Sequence, residues 1–256
     1  MPLPRTRRPL GAALAALVVL PLAACGSDAG TTGGDDARTL TVLAAASLTG
    51  TFTELAEQFE AEHEGVSVDL VLDSSGTLAD QAAQGAPGDV LATADTASME
   101  RAGDARADDP AVFATNELVL VTPAANPAGV TGIASLDDDA VTYVVCVETA
   151  PCGVLAAQAL ADAGVTREPA SLERDVKATL ARVSEDEADA GLVYRTDARA
   201  AGADVATFDL PGSLVTAYPV TTLAQSAHPD LAAEFVDLVL SEAGADVLGA
   251  AGFGPP

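Results

Sequence analysis

The chain has 256 residues and a formal charge of −26, set by 38 Asp and Glu against 12 Lys and Arg. Apolar residues make up 49% of it, enough for a sizeable core, and the acidity excludes nucleic acid as a partner, because phosphate attraction needs basic patches. The same acidity turns long-range steering against an anion, so an anionic ligand would have to be held by local donors.

Arg5, Arg7 and Arg8 precede an apolar run, Leu10 to Leu22, too short and too rich in small residues for a comfortable membrane span. The run ends in Leu22-Ala23-Ala24-Cys25-Gly26, which resembles a bacterial lipobox. That resemblance implies a signal peptide over 1–24, cleavage before Cys25 and lipid on its sulfur. The alternatives are secretion with an unmodified Cys25 and an uncleaved anchor. From Cys25 to Arg38 the chain is polar and Gly-containing, without apolar period, and reads as a tether. Ordered structure is expected from Thr39. No second long apolar run follows, so nothing downstream is expected to span a membrane.

Thr39 to Ala44 alternates as a strand. Phe52, Leu55, Ala56 and Phe59 recur at helical spacing, and His63-Glu64-Gly65 closes that helix. Val66 to Leu72 is the next strand. Thr77 to Gln84 is a short helix stopped by Gly85-Ala86-Pro87-Gly88, and Asp89 to Thr93 is a third strand. This alternation implies βαβ units and a parallel sheet whose strand C-termini share one edge. Further strands are predicted at Glu117 to Thr122, Val141 to Val147, Ala190 to Tyr194, Val205 to Phe208 and Thr216 to Thr222. Helices are predicted at Gly153 to Ala163, Asp175 to Val183 and Leu231 to Leu240, with Ala243 to Leu248 extending or following the last. The pattern runs twice. Two α/β lobes are expected, 39–117 plus 220–256 and 118–219, facing each other across a cleft.

Two serine-bearing stretches stand out, Leu43-Ala44-Ala45-Ala46-Ser47-Leu48-Thr49 and Asp73-Ser74-Ser75-Gly76-Thr77-Leu78-Ala79. Each follows an aliphatic run and leads into helical period. Hydroxyl residues at a helix start gather O–H and N–H donors where the dipole adds partial positive charge, which suits a small oxyanion. Each serine alone also reads as an ordinary N-cap. Asp137-Asp138-Asp139 lacks the Gly and Glu of a calcium loop and reads as a solvated turn. His63 and His228 are isolated. With Cys25 taken by lipid, Cys146 and Cys152 remain, six apart in an oxidising compartment. They either close a small disulfide loop or stay as two buried thiols, since close pairs can be barred by their Cα separation. A metal pair is not expected, because no His or third Cys lies nearby.

Ala44-Ala45-Ala46-Ser47-Leu48, Ser74-Ser75-Gly76-Thr77-Leu78, Gly85-Ala86-Pro87-Gly88-Asp89-Val90, Asp175-Val176, Gly191-Leu192-Val193-Tyr194, Tyr218-Pro219-Val220 and Gly252-Phe253 follow one another in this order. The ordered set resembles the periplasmic molybdate-binding proteins, the substrate-binding subunits of molybdate ABC transporters, and covers Thr39 to Phe253. The resemblance implies an α/β, type II two-lobe periplasmic-binding-protein fold with the ligand cleft between the lobes, and no enzymatic activity. It implies a monomer, lipid-anchored at the extracytoplasmic face of the cell membrane, that binds molybdate or tungstate without a cofactor or metal cation. The partners it implies are a membrane permease and its ATPase.

Carried over, Ser47 would give its hydroxyl and amide, Ser75 its hydroxyl, Cys152 and Val176 their amides, and Tyr194 its phenolic O–H. Such donors suit a fully deprotonated dianion and reject monohydrogen phosphate, whose proton needs an acceptor. Sulfate would have to be excluded by cleft size.

Four positions depart from the family pattern. Gly76 stands where a third serine often occurs. Asp73 precedes the serines and is expected to turn its carboxylate away. Cys152 replaces an Ala, and pairing with Cys146 would preorganise its amide. Arg195 either steers anions or pairs with an acid. The alternatives are a receptor for another tetrahedral oxyanion such as sulfate, a lipoprotein adhesin, and an enzyme on the same scaffold. The enzyme would need a nucleophile with a base, or paired carboxylates, at the pocket.

Overall fold

The computed structural model describes residues 38–256. The signal peptide, lipid site at Cys25 and tether expected from the sequence fall at 1–37, outside the described residues.

β1 (Arg38–Ala45) runs through a 3-10 turn at Ala46–Leu48 into α1 (Thr49–Glu62). β2 (Val66–Asp73) leads into α2 (Ser75–Ala83), and β3 (Val90–Ala92) precedes α3 (Thr96–Arg101). β1 is parallel to both β2 and β3. Val42, Leu43 and Ala44 are buried accordingly, as a strand covered on both faces requires. The predicted stripe of α1 packs Phe52 and Phe59 against Phe235, with ring centroids 6.0 and 5.4 Å apart.

β4 (Ala111–Pro123) is the longest strand among the described residues and changes partners part-way. Next come β5 (Tyr143–Cys146), α4 (Pro151–Ala163), β6 (Ser171–Glu173), α5 (Val176–Ser184), β7 (Ala190–Tyr194), α6 (Arg195–Ala201) and β8 (Val205–Asp209). β9 (Val215–Thr222), α7 (Pro229–Leu240) and α8 (Glu242–Ala251) complete the chain. Ala111 to Glu117 pairs with β9, which in turn pairs with β3. Leu118 to Pro123 pairs instead with β7 and β8. β5 is parallel to β6 and β7. The change of partners within β4 falls at Glu117–Leu118.

Val215 to Pro219 pairs with Val112–Glu117. The chain passes from β8 to β9 through Pro211-Gly212, where Gly212 takes a φ of 78°. A Pro-Gly pair is a turn signal, and Gly tolerates that positive φ without a Cβ clash. Three helices begin two residues earlier than predicted, α7 among them at Pro229. α2 starts at Ser75, and α4 starts at Pro151, whose fixed φ and missing N–H suit the first helical position. α8 is separate from α7, capped by Ser241 accepting from Gly244 N–H at 3.2 Å. Among the described residues no helix is long and apolar enough to cross a membrane.

Candidate functional site

Strand ends that turn into helices wall one cavity. β1 delivers Ser47, β2 delivers Ser74 and Ser75, the loop after β5 delivers Pro151 and Cys152, β6 leads to Asp175 and Val176, and β7 ends at Tyr194. All five residues expected at the site, Ser47, Ser75, Cys152, Val176 and Tyr194, line it together. The cavity is small, about 10 Å³ of space for a solvent centre, and admits only a compact solute.

Each donor is left free by a definite local cause. Ser75 Oγ accepts from Ala94 N–H at 2.8 Å, which leaves the Ser75 proton uncommitted. At α4 the first residue is Pro151, so Cys152 is the first residue of that helix with an N–H to offer. At α5 the Asp175 carboxylate caps the helix by accepting from Ala178 N–H at 2.8 Å, and Val176 N–H stays without an intrahelical partner. The Tyr194 hydroxyl is buried and has no hydrogen-bond partner among the described residues. Burial first, then the neighbouring Tyr218, Asp95 and Asp197, push its phenol well above the ordinary value, so it remains a donor. Ser47 Oγ lies 2.9 Å from the hydroxyl of Tyr218.

No Lys, Arg or His lines this cavity; the helices α2, α4 and α5 present their positive dipole ends instead. Asp73 lines the same cavity rather than standing clear of it. Its Oδ1 accepts from Ser74 N–H at 2.7 Å, which ties the carboxylate to its own turn. Asp175, also at the wall, is paired through Oδ2 with Arg174 Nε at 3.0 Å. Cys146 and Cys152 form a disulfide with Cα atoms 5.8 Å apart, within the usual range. The tight loop between them requires Gly153, where a Cβ would fall 2.0 Å from the Val147 carbonyl oxygen. Arg195 does not line the cavity. It donates to Glu117 at 2.8 and 3.0 Å and to Asp209 at 2.8 Å, so it pairs with acids.

Sequence reading gave no role to Tyr218 and Asn116, which stand behind Ser47 outside the cavity wall. Both are buried, and Asn116 Nδ2 donates to Thr196 Oγ1 at 2.8 Å and to the Tyr218 hydroxyl at 3.3 Å. A polar Asn beside the apolar run Leu118–Val121, and a Tyr among β-strand residues, were the available signals, since buried polar groups need partners. His63 is held away from the cavity by Glu234 at 2.7 Å.

Residues 40–254 match the family described as bacterial extracellular solute-binding protein. The chain belongs to that family. This solute-binding protein is 39% identical over 254 residues to the molybdate-binding protein ModA of Mycobacterium tuberculosis, spanning 95% of this chain and 96% of that one. The periplasmic molybdate-binding protein of Azotobacter vinelandii superposes with a TM-score of 0.75 at 23% identity, over 85% of this chain and 99% of its own. The sulfate-binding protein SubI of Mycobacterium tuberculosis reaches the same TM-score, 0.75, at 17% identity, over 85% and 87%. These two structures share the two-lobe periplasmic-binding fold and carry no more than that. Family members of this kind are binding proteins that work outside the cytoplasm, not enzymes.

Proposed function

We propose that this solute-binding protein captures molybdate between its lobes and delivers it to a membrane ABC importer. Ser47 and Ser75 come from the first lobe, and Cys152, Val176 and Tyr194 from the second. The observation that carries the reading is the Tyr194 hydroxyl, a buried donor without a partner in a cavity whose other polar walls also offer donors. Leaving such a group unsatisfied costs about 1–3 kcal/mol, and an oxyanion oxygen would relieve it. Each hydrogen bond to a charged acceptor contributes about 1.5–3 kcal/mol. Four or five of them, less the costs of association and closure, reach roughly micromolar affinity or tighter.

Molybdate is a dianion without protons and needs donors only. Tungstate has nearly the same size and charge and is expected to bind as well. The 39% identity to a protein named for molybdate supports the choice over sulfate. The reading includes a monomer, tethered by lipid on Cys25, that docks on a permease and its ATPase; the lipobox-like Leu22 to Gly26 supports the anchor.

The test is the thermal midpoint with molybdate, tungstate, sulfate and phosphate in turn. A ligand at about a thousand times its Kd adds roughly 4 kcal/mol. A large rise with molybdate and tungstate alone is the expected result. A rise with sulfate or phosphate alone would keep the fold and overturn the ligand.

A further inference from the structure

Tyr218 does not line the cavity, yet its hydroxyl touches Ser47, and what it can do there is dictated from behind. Asn116 is the fixed point. Its Oδ1 accepts from Glu117 N–H at 3.0 Å, which orients the amide and turns Nδ2 toward Thr196 Oγ1 and the Tyr218 hydroxyl. An amide nitrogen only donates. The Tyr218 oxygen therefore accepts from Asn116, and Ser47 Oγ is its one other partner among the described residues. The phenolic proton has nowhere else to go, so Tyr218 donates to Ser47. Ser47 Oγ then accepts from Tyr218, and its single proton is left for the cavity. Ser75 is set the same way by a simpler means, since the Ala94 N–H on its oxygen can only donate.

We propose that the Asn116–Tyr218 pair is a positioning device that sets Ser47 to donate its proton into the cavity and so favours a fully deprotonated dianion over a protonated one of equal charge. The inference rests on the oxyanion reading of the cavity given above. Burial raises the Tyr218 phenol far above its ordinary value, so the proton it passes forward is present throughout the working range. The ring is held independently of the hydroxyl, edge-on against Phe113, Tyr194 and Phe253 with centroids 6.2, 6.1 and 5.3 Å away. Tyr218→Phe thus removes the relay and keeps the packing.

Two variants of the full chain test the device, each titrated calorimetrically with molybdate and with phosphate at a pH where phosphate is the monohydrogen dianion. In Tyr218→Phe, no donor behind Ser47 orients its hydroxyl, which can then turn to accept the phosphate proton. Asn116→Asp reverses the chain. A carboxylate there only accepts, so Tyr218 turns its proton to residue 116, Ser47 donates to Tyr218, and Ser47 shows the cavity a lone pair. The added charge weakens both dianions alike and cancels in the ratio of their affinities. The expected result is a phosphate-to-molybdate affinity ratio that rises about tenfold in Tyr218→Phe and further in Asn116→Asp. Equal losses for both ions, or an unchanged ratio in either folded variant, would overturn the device. A parent protein that binds neither ion would instead overturn the oxyanion reading.

Discussion

Gly76 and Thr149 meet across the cleft: a Cβ on Gly76 would lie 2.4 Å from the Thr149 carbonyl oxygen. Gly76 is the second residue of α2, in the first lobe, and Thr149 lies in the loop between β5 and α4, in the second. The contact is backbone against backbone, so no side-chain rotamer can relieve it. Arg101 closes the same space from α3, with Nη1 2.7 Å from the same hypothetical Cβ. This explains why glycine stands where a third serine was expected by family resemblance: a hydroxymethyl group would hold the lobes apart.

Gly76→Ala is therefore expected to weaken oxyanion binding while sparing the lobes themselves. Overpacking of this kind costs about 1–3 kcal/mol, which corresponds to roughly tenfold to a hundredfold in Kd. Calorimetry gives the Kd, and the thermal midpoint without ligand reports the fold. An unchanged Kd would mean that binding does not require this approach.

Much of this arrangement was legible before any coordinates. Phe52, Leu55 and Phe59 announce α1 because a helix buries one stripe, and the small hydroxyl residues after β1 and β2 announce donor-bearing turns. Short elements such as β6 and α3, with three and six residues, carry too few periods to be read. The first half of β4 was missed because Ala114 and Asn116 weaken its β signal. Ser47 and Ser75 were legible because each sits at a helix start after a strand, whereas Cys152, Val176 and Tyr194 came only with the family resemblance. The Asn116–Tyr218 contact spans 102 positions, and the facing of Gly76 and Thr149 depends on how two lobes close. Neither follows from local pattern.

The disulfide is expected to act on affinity more than its small loop suggests. It ties the end of β5 to Cys152, which lines the cavity. Reduction frees that turn in the unliganded protein, and ordering it again on binding draws on the interaction energy. Titration with molybdate in the presence and absence of a thiol reductant should show a Kd weaker by about threefold to tenfold after reduction, on the scale of ordering one or two residues. Identical values would show that helix packing alone holds the amide in place.

Asp197 predicts a pH dependence of stability. It is fully buried, and burial raises its carboxyl above the ordinary 3.8 although Lys177 Nζ stands 2.8 Å away and pulls it down. A raised carboxyl binds its proton more tightly folded than unfolded, so its contribution is present below 3.8 and is lost as pH rises through the raised value. Asp197→Asn lacks that loss. The stability of the parent minus that of the variant, from denaturant melts, should fall as pH is raised from about 4 toward neutrality. A difference that rises with pH would mean that Lys177 outweighs burial.

Tyr194→Phe separates binding from stability by their signs. The Tyr194 hydroxyl is buried without a partner among the described residues, so its removal relieves a desolvation penalty. The thermal midpoint without ligand should hold or rise, by the equivalent of up to about 1 kcal/mol. Binding should move the other way. The lost hydrogen bond to a charged acceptor contributes about 1.5–3 kcal/mol, which predicts a Kd weaker by roughly tenfold to a hundredfold. The edge-on contact with the Tyr218 ring, centroids 6.1 Å apart, survives in the phenylalanine, so packing cannot account for a selective loss of affinity. A variant that loses stability and affinity together would instead make Tyr194 a residue of the core.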